Sequence, residues 1–107
     1  MPPAASSPRR QPPCAYQTSG QWPNARLRPH RGTHVAQEVA RRLGQAMDEQ
    51  SLSASRLAAR SGVNRQTITN VLGGLAWADL LTVALLEEGL QTALWPPYEL
   101  VGTDQDR

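Results

Sequence analysis

From Thr33 onward, apolar residues recur at helical spacing. Val35, Val39, Leu43 and Met47 come every four residues with Ala36, Ala40 and Ala46 beside them, while Gln37, Glu38, Arg41, Arg42, Gln45 and Asp48 take the remaining positions. The pattern predicts one amphipathic helix over about His34 to Gln50, with those polar residues in water. Ser53 has the side chain of an N-cap, and Leu57 and Ala58 carry a short second helix, Ala54 to Ser61, that Gly62 stops. Asn64 caps a third helix, in which Ile68, Val71 and Leu72 form the inner face and Gly73 and Gly74 supply a left-handed stop. Asp79 caps a fourth, where Leu80, Val83, Leu86 and Leu90 repeat at three- and four-residue steps. Leu94 and Trp95 extend the apolar set until Pro96 and Pro97 forbid further helix. No β pattern and no internal repeat stands out. The expectation is an all-α domain of four to five short helices.

The chain before this periodic region reads differently. Seven of the nine prolines fall in Met1–His34, which has few large aliphatics and no acidic residue. Such a stretch buries too little apolar surface to offset the entropy of ordering. The division predicted is therefore a disordered Pro/Arg-rich arm over residues 1–33, a helical domain over 34–97 and an acidic tail over 98–107. A folded unit of roughly 60–70 residues has a small core, so self-association would help it.

Charge sharpens this division. The formal net charge of +2 is the balance of +5 over Met1–His34, +2 over Val35–Gly74 and −5 beyond. The gradient favours a polyanionic partner for the N-terminal two thirds, although basic disordered segments also serve solubility alone. Every basic residue but the two histidines is arginine, and phenylalanine is absent. That bias has the look of a GC-rich genome, so it says more about source than about a site. Cys14 is the one cysteine, which rules out an intramolecular disulfide or a cysteine cluster. No apolar run is long enough for a signal peptide or a membrane span. A cytoplasmic protein with no membrane partner is the expectation.

Two short helices joined by a tight glycine turn, with small residues where they meet, satisfy the packing requirement of a helix-turn-helix. Ala58 is small where the third helix approaches, Gly62 suits a positive φ, and Leu57, Val63, Ile68 and Val71 can close the wedge. Leu52 to Leu72, "LSASRLAARSGVNRQTITNVL", resembles the helix-turn-helix of phage repressors and Cro, the Xre-type superfamily of bacterial regulators. The stretch "LAWADLLTVALLEEGLQTALWP" is similar to the helices that follow it there, and the likeness runs from about Val35 to Pro96. It implies a lambda-repressor-like fold and sequence-specific binding of double-stranded DNA by a transcriptional regulator. Two positions depart from the family pattern: Ala54 stands where a glutamine often touches phosphate or base, and Ser61 where an aliphatic residue is usual.

In that family the third helix enters the major groove and the second crosses the backbone. Carried onto this chain, the resemblance implies base contacts from Arg65, Gln66, Thr69 and Asn70. Their chemistry fits, since Arg65 can fork onto guanine, Gln66 and Asn70 can pair with adenine edges and Thr69 can offer a methyl to thymine. Phosphate contacts fall to Ser53, Ser55, Arg56, Asn64 and Thr67. An ordinary surface helix also shows Arg, Gln, Thr and Asn. Favouring a reading role, Thr67, Thr69 and Asn70 are poor helix formers, and no acid lies between Ser51 and Ala78.

Catalysis is not expected. His30 and His34 stand four apart beside Pro29 and Gly32, a poor setting for a metal pair, and the adjacent Glu87 and Glu88 point in different directions on a helix. The sequence has no glycine-rich phosphate loop and no nucleophile with a folded-domain histidine, so neither enzyme nor cofactor is predicted. The rival reading is a non-enzymatic interaction module, such as an antitoxin or accessory protein, built on the same helices. On the fourth helix, Leu81 and Leu85 lie on a different face from Val83, Leu86 and Leu90, and Trp77 and Trp95 bracket it. A second apolar face exceeds the needs of one small core and suits a homodimer through this helix and the Trp77/Trp95 region.

Overall fold

Four helical segments form where capping residues and apolar spacing agree, and a computed structural model describes them within residues 11–100. Helix α1 spans Arg31–Glu49, α2 Ala54–Ser61, α3 Arg65–Leu72 and α4 Leu80–Leu90. Ser53 caps α2 by accepting from the N–H of Arg56, Asn64 caps α3 through the N–H groups of Gln66 and Thr67, and Asp79 caps α4 through that of Thr82. Gly62 ends α2 at φ 82°, and its N–H reaches the carbonyl of Ala58. After α3 it is Gly74, at φ 70°, that turns left-handed, whereas Gly73 stays at φ −88°.

Helix α1 starts three residues before the predicted His34. The reason is a cap the sequence reading passed over: His30 Nδ1 accepts from the N–H of Thr33 and lies 2.6 Å from its hydroxyl. Helix α4 stops at Leu90, so Leu94 and Trp95 are not helical. Gln91 adopts a left-handed conformation, and the Glu87 carboxylate accepts from the N–H groups of Leu94 at 2.7 Å and Trp95 at 3.0 Å, which folds the chain back. That return places Leu94 in the interior.

Leu43, Leu57, Ile68, Leu86, Leu90 and Leu94 are fully buried together, with Val35, Val39, Val63, Val71 and Val83 around them. Helix α2 packs on both α3 and α4, and α1 on α3. Where α2 crosses α4, a β-carbon on Gly89 would stand 2.9 Å from the Cβ of Ser61. The small residue at 61, unusual for the resembled family, is therefore matched by the absence of a side chain at 89.

The N-terminal segment departs most from expectation. Residues 11–30, predicted as part of a disordered arm, fold onto the helices, while residues 1–10 lie outside the described region. A 3-10 turn at Pro13–Tyr16 leads into a two-stranded antiparallel sheet, β1 Gln17–Ser19 with β2 Arg26–Leu27, so the described fold is mainly helical rather than all-α. Three kinds of contact hold it. Gln37, predicted to face water, is buried: its Oε1 accepts from the N–H of Ala25 at 2.9 Å and its Nε2 donates to the Ala25 carbonyl at 3.1 Å. Trp22 covers Gly74, and the Cys14 N–H donates to the Gly74 carbonyl at 2.9 Å. Tyr16 stacks on His30 at 4.7 Å between centroids, with Trp77 edge-on to both and its Nε1 donating to the Gln11 carbonyl. Specific polar and aromatic contacts thus supply what mean apolarity did not. At the other end, Tyr98–Leu100 forms a 3-10 turn, and the rest of the acidic tail lies outside the described residues.

Candidate nucleic-acid interface

Helix α3 is buried along one side and polar along the other, as its period demands. Ile68 and Val71 face the core, while Arg65, Gln66 and Thr69 are exposed and Asn70 and Thr67 half-buried. The four residues assigned to base contact therefore share one outer face. They are also linked: Gln66 Nε2 donates to Asn70 Oδ1 at 3.1 Å and to Thr69 Oγ1 at 3.3 Å, and the Thr69 hydroxyl donates to the Gln66 carbonyl at 2.9 Å. These bonds hold three side chains in a fixed relative order on an exposed surface.

The residues assigned to phosphate surround the two helix N-termini. Ser53, Ser55 and Arg56 are exposed at the start of α2, and Asn64 is exposed at the start of α3. Two of them already have structural duties. Ser53 Oγ accepts from the Arg56 N–H at 3.1 Å, and Asn64 Oδ1 accepts from the N–H groups of Gln66 at 2.7 Å and Thr67 at 3.3 Å. Each keeps its donor, the serine hydroxyl hydrogen and the asparagine NH2, for an anion in front of the helix.

The arginines divide by what their side chains touch. Glu38 pairs with Arg41 and with Arg42, the latter at 3.1 Å, and Arg41 also donates to the Pro23 carbonyl and the Asn24 side chain. Arg28 lies over the Tyr16 ring at 4.8 Å and Arg31 over that of Tyr98 at 4.0 Å. These four hold the fold together. Arg60 donates weakly to Gln50 at 3.4 Å. Arg26, Arg56 and Arg65 have no such partner among the described residues, and Arg56 and Arg65 stand at the N-terminal turns of α2 and α3. No carboxylate lies between Ser51 and Ala78 in the sequence, so α2 and α3 themselves carry only basic charges.

The histidines have structural roles: His30 caps α1, and His34 Nε2 donates to the Arg28 carbonyl at 3.3 Å. On the side of α4 away from the core, Leu80 and Leu81 are exposed, while Leu85, predicted with Leu81, is half-buried against the core cluster. Trp95 is half-exposed, and with Trp77, Val35, Val39 and Val83 it walls a groove of about 530 Å³ beside the start of α1. No helix of the described residues is long and apolar enough to cross a membrane.

The sequence reading missed the support under the far end of α3. Trp22 and Cys14 brace Gly74 there, and Asn24 with Pro23 ties the same segment to α1. The available signal was a cluster of apolar and aromatic residues, Tyr16, Trp22, Ala25 and Leu27, among the prolines. No family model matches the chain, and no curated protein or solved structure matches it either.

Proposed function

We propose that α2 and α3 act as a helix-turn-helix that binds double-stranded DNA sequence-specifically, in the manner of an Xre-type transcriptional regulator. One observation carries the reading: Arg65, Gln66, Thr69 and Asn70 lie side by side on the outer face of α3, with no carboxylate near in sequence, and Arg56 at the start of α2 has no side-chain partner among the described residues. In this reading α3 lies in the major groove with its N-terminal residues on base edges, while Ser53, Ser55, Arg56, Asn64 and Thr67 bind the flanking phosphates. The chemistry is recognition without catalysis.

A second copy of the chain, or another protein, is the reading for α4. The exposed Leu80 and Leu81 and the half-exposed Trp95 favour it, because a symmetric pair that buried them would remove apolar surface from water.

Selection from a randomised duplex library with the full chain tests the DNA reading. An enriched site is expected. Arg65→Ala then weakens binding to that site more than to random duplex, and Arg56→Ala weakens both alike while lowering the salt slope by about 1. Equal retention of the site by wild type and an Arg65→Ala, Gln66→Ala, Asn70→Ala triple variant overturns it. Stoichiometric co-purification of one protein without DNA enrichment supports the interaction module instead.

A further inference from the structure

The hydrogen bonds on the outer face of α3 decide what each amide has left to offer. A side-chain amide nitrogen carries two hydrogens. Those of Gln66 Nε2 are directed at Asn70 Oδ1, 3.1 Å away, and at Thr69 Oγ1, 3.3 Å away. What Gln66 presents outward is therefore its Oε1, an acceptor. Asn70 has one lone pair of its Oδ1 engaged by Gln66 and both hydrogens of its Nδ2 still to donate. Gln66 in this arrangement therefore has no donor left for the bidentate contact of a lone amide and must take one from a neighbouring side chain.

We infer that Gln66 and Asn70 form one composite reader, in which the Oε1 of Gln66 accepts from the N6 amino group of an adenine and the Nδ2 of Asn70 donates to N7 of the same base. The inference rests on the DNA reading of α3 given above and narrows it from two independent amides to one unit on one base. Base-edge chemistry selects adenine, the base that places a donor beside an acceptor on its own major-groove edge. Guanine shows two acceptors, O6 and N7, and would set O6 against the Gln66 oxygen. Thymine shows one acceptor and a methyl group, and cytosine a donor alone. Thr69 holds the unit in place: its hydroxyl accepts from Gln66 Nε2 and donates to the Gln66 main-chain carbonyl, which fixes the glutamine before any ligand arrives. Its methyl group stays available for a neighbouring thymine.

The test is base preference, measured by selection from randomised duplexes with the full-length wild type and the variants Gln66→Ala, Asn70→Ala and Asn70→Asp, each checked for helix content by circular dichroism. The wild type is expected to enrich a site with an adenine at one position whose preference falls about ten-fold in both alanine variants. Asn70→Asp keeps the acceptor that orients Gln66 and replaces the outward donor with an oxygen, so the preference at that same position should move from adenine to cytosine. It also keeps the size of the side chain, so it decides the matter even if Asn70→Ala does not fold. An enriched site in which Gln66→Ala and Asn70→Ala relax two different positions, or in which the shared position is not adenine, overturns the composite reader and leaves the DNA reading standing. If the wild type enriches no sequence, the DNA reading fails and this inference with it.

Discussion

The indole of Trp22 lies against Gly74 so closely that a β-carbon at 74 would stand 2.6 Å from the ring. Gly74 is also the left-handed residue that ends α3, at φ 70°. One position thus answers to two constraints, a turn and a covering aromatic, and joins residues 11–30 to the helix proposed to read DNA. Gly74→Ala is expected to lower unfolding stability by about 1–3 kcal/mol, since it adds strain at positive φ to a steric clash. Chemical denaturation followed by tryptophan fluorescence checks it, and an unchanged midpoint would show that Trp22 moves aside freely.

Gln37 makes a second tie to the same segment. Its amide closes both backbone groups of Ala25, as a neighbouring strand would. Gln37→Leu should leave two buried backbone groups unpaired, at a cost of about 1–3 kcal/mol for each group that water cannot reach. Amide exchange at Ala25 is the direct measurement: protection in wild type and its loss in the variant is the predicted outcome. Protection retained in Gln37→Leu would mean that the segment is held by other contacts.

Ser61 and Gly89 set the approach of α2 to α4. A valine at 89 would place its β-carbon 2.9 Å from that of Ser61 and push the helices apart. Because α2 carries the fully buried Leu57, that displacement also opens the core. Gly89→Val is expected to destabilise by about 1–3 kcal/mol and, on the proposed DNA reading, to weaken duplex binding through the altered position of α2. A thermal melt and a binding isotherm test the two halves separately.

Leu81 is 67 % exposed on α4, and Leu80 beside it 74 %. If a second copy covers them, Leu81→Glu should shift the chain from dimer to monomer in sedimentation and leave the melting temperature of the monomer nearly unchanged, because the residue contributes little to the core. The same variant should lose affinity for a two-half-site duplex more than for a single half-site. A wild type that sediments as a monomer at micromolar concentration removes the dimer.

The local elements were legible in the sequence because their causes are local. Ser53, Asn64 and Asp79 cap through side chains within three residues of the groups they satisfy, Gly62 turns in place, and the four-residue recurrence of Val35, Val39, Leu43 and Met47 defines a buried stripe wherever the chain folds. The candidate reading face of α3 was legible for the same reason, since burial of Ile68 and Val71 leaves Arg65, Gln66 and Thr69 outside. Only tertiary structure decided what lies across the chain. Whether Gln37 meets water or Ala25, whether Arg41 and Arg42 remain open to phosphate or pair with Glu38, and whether residues 11–30 fold at all depend on partners brought close by the fold, as far apart in sequence as Gln11 and Trp77. Periodicity records which side of a helix is apolar. It carries no record of which distant backbone or ring will cover the polar side, and on this protein that covering is what turned part of a basic, proline-rich arm into structure.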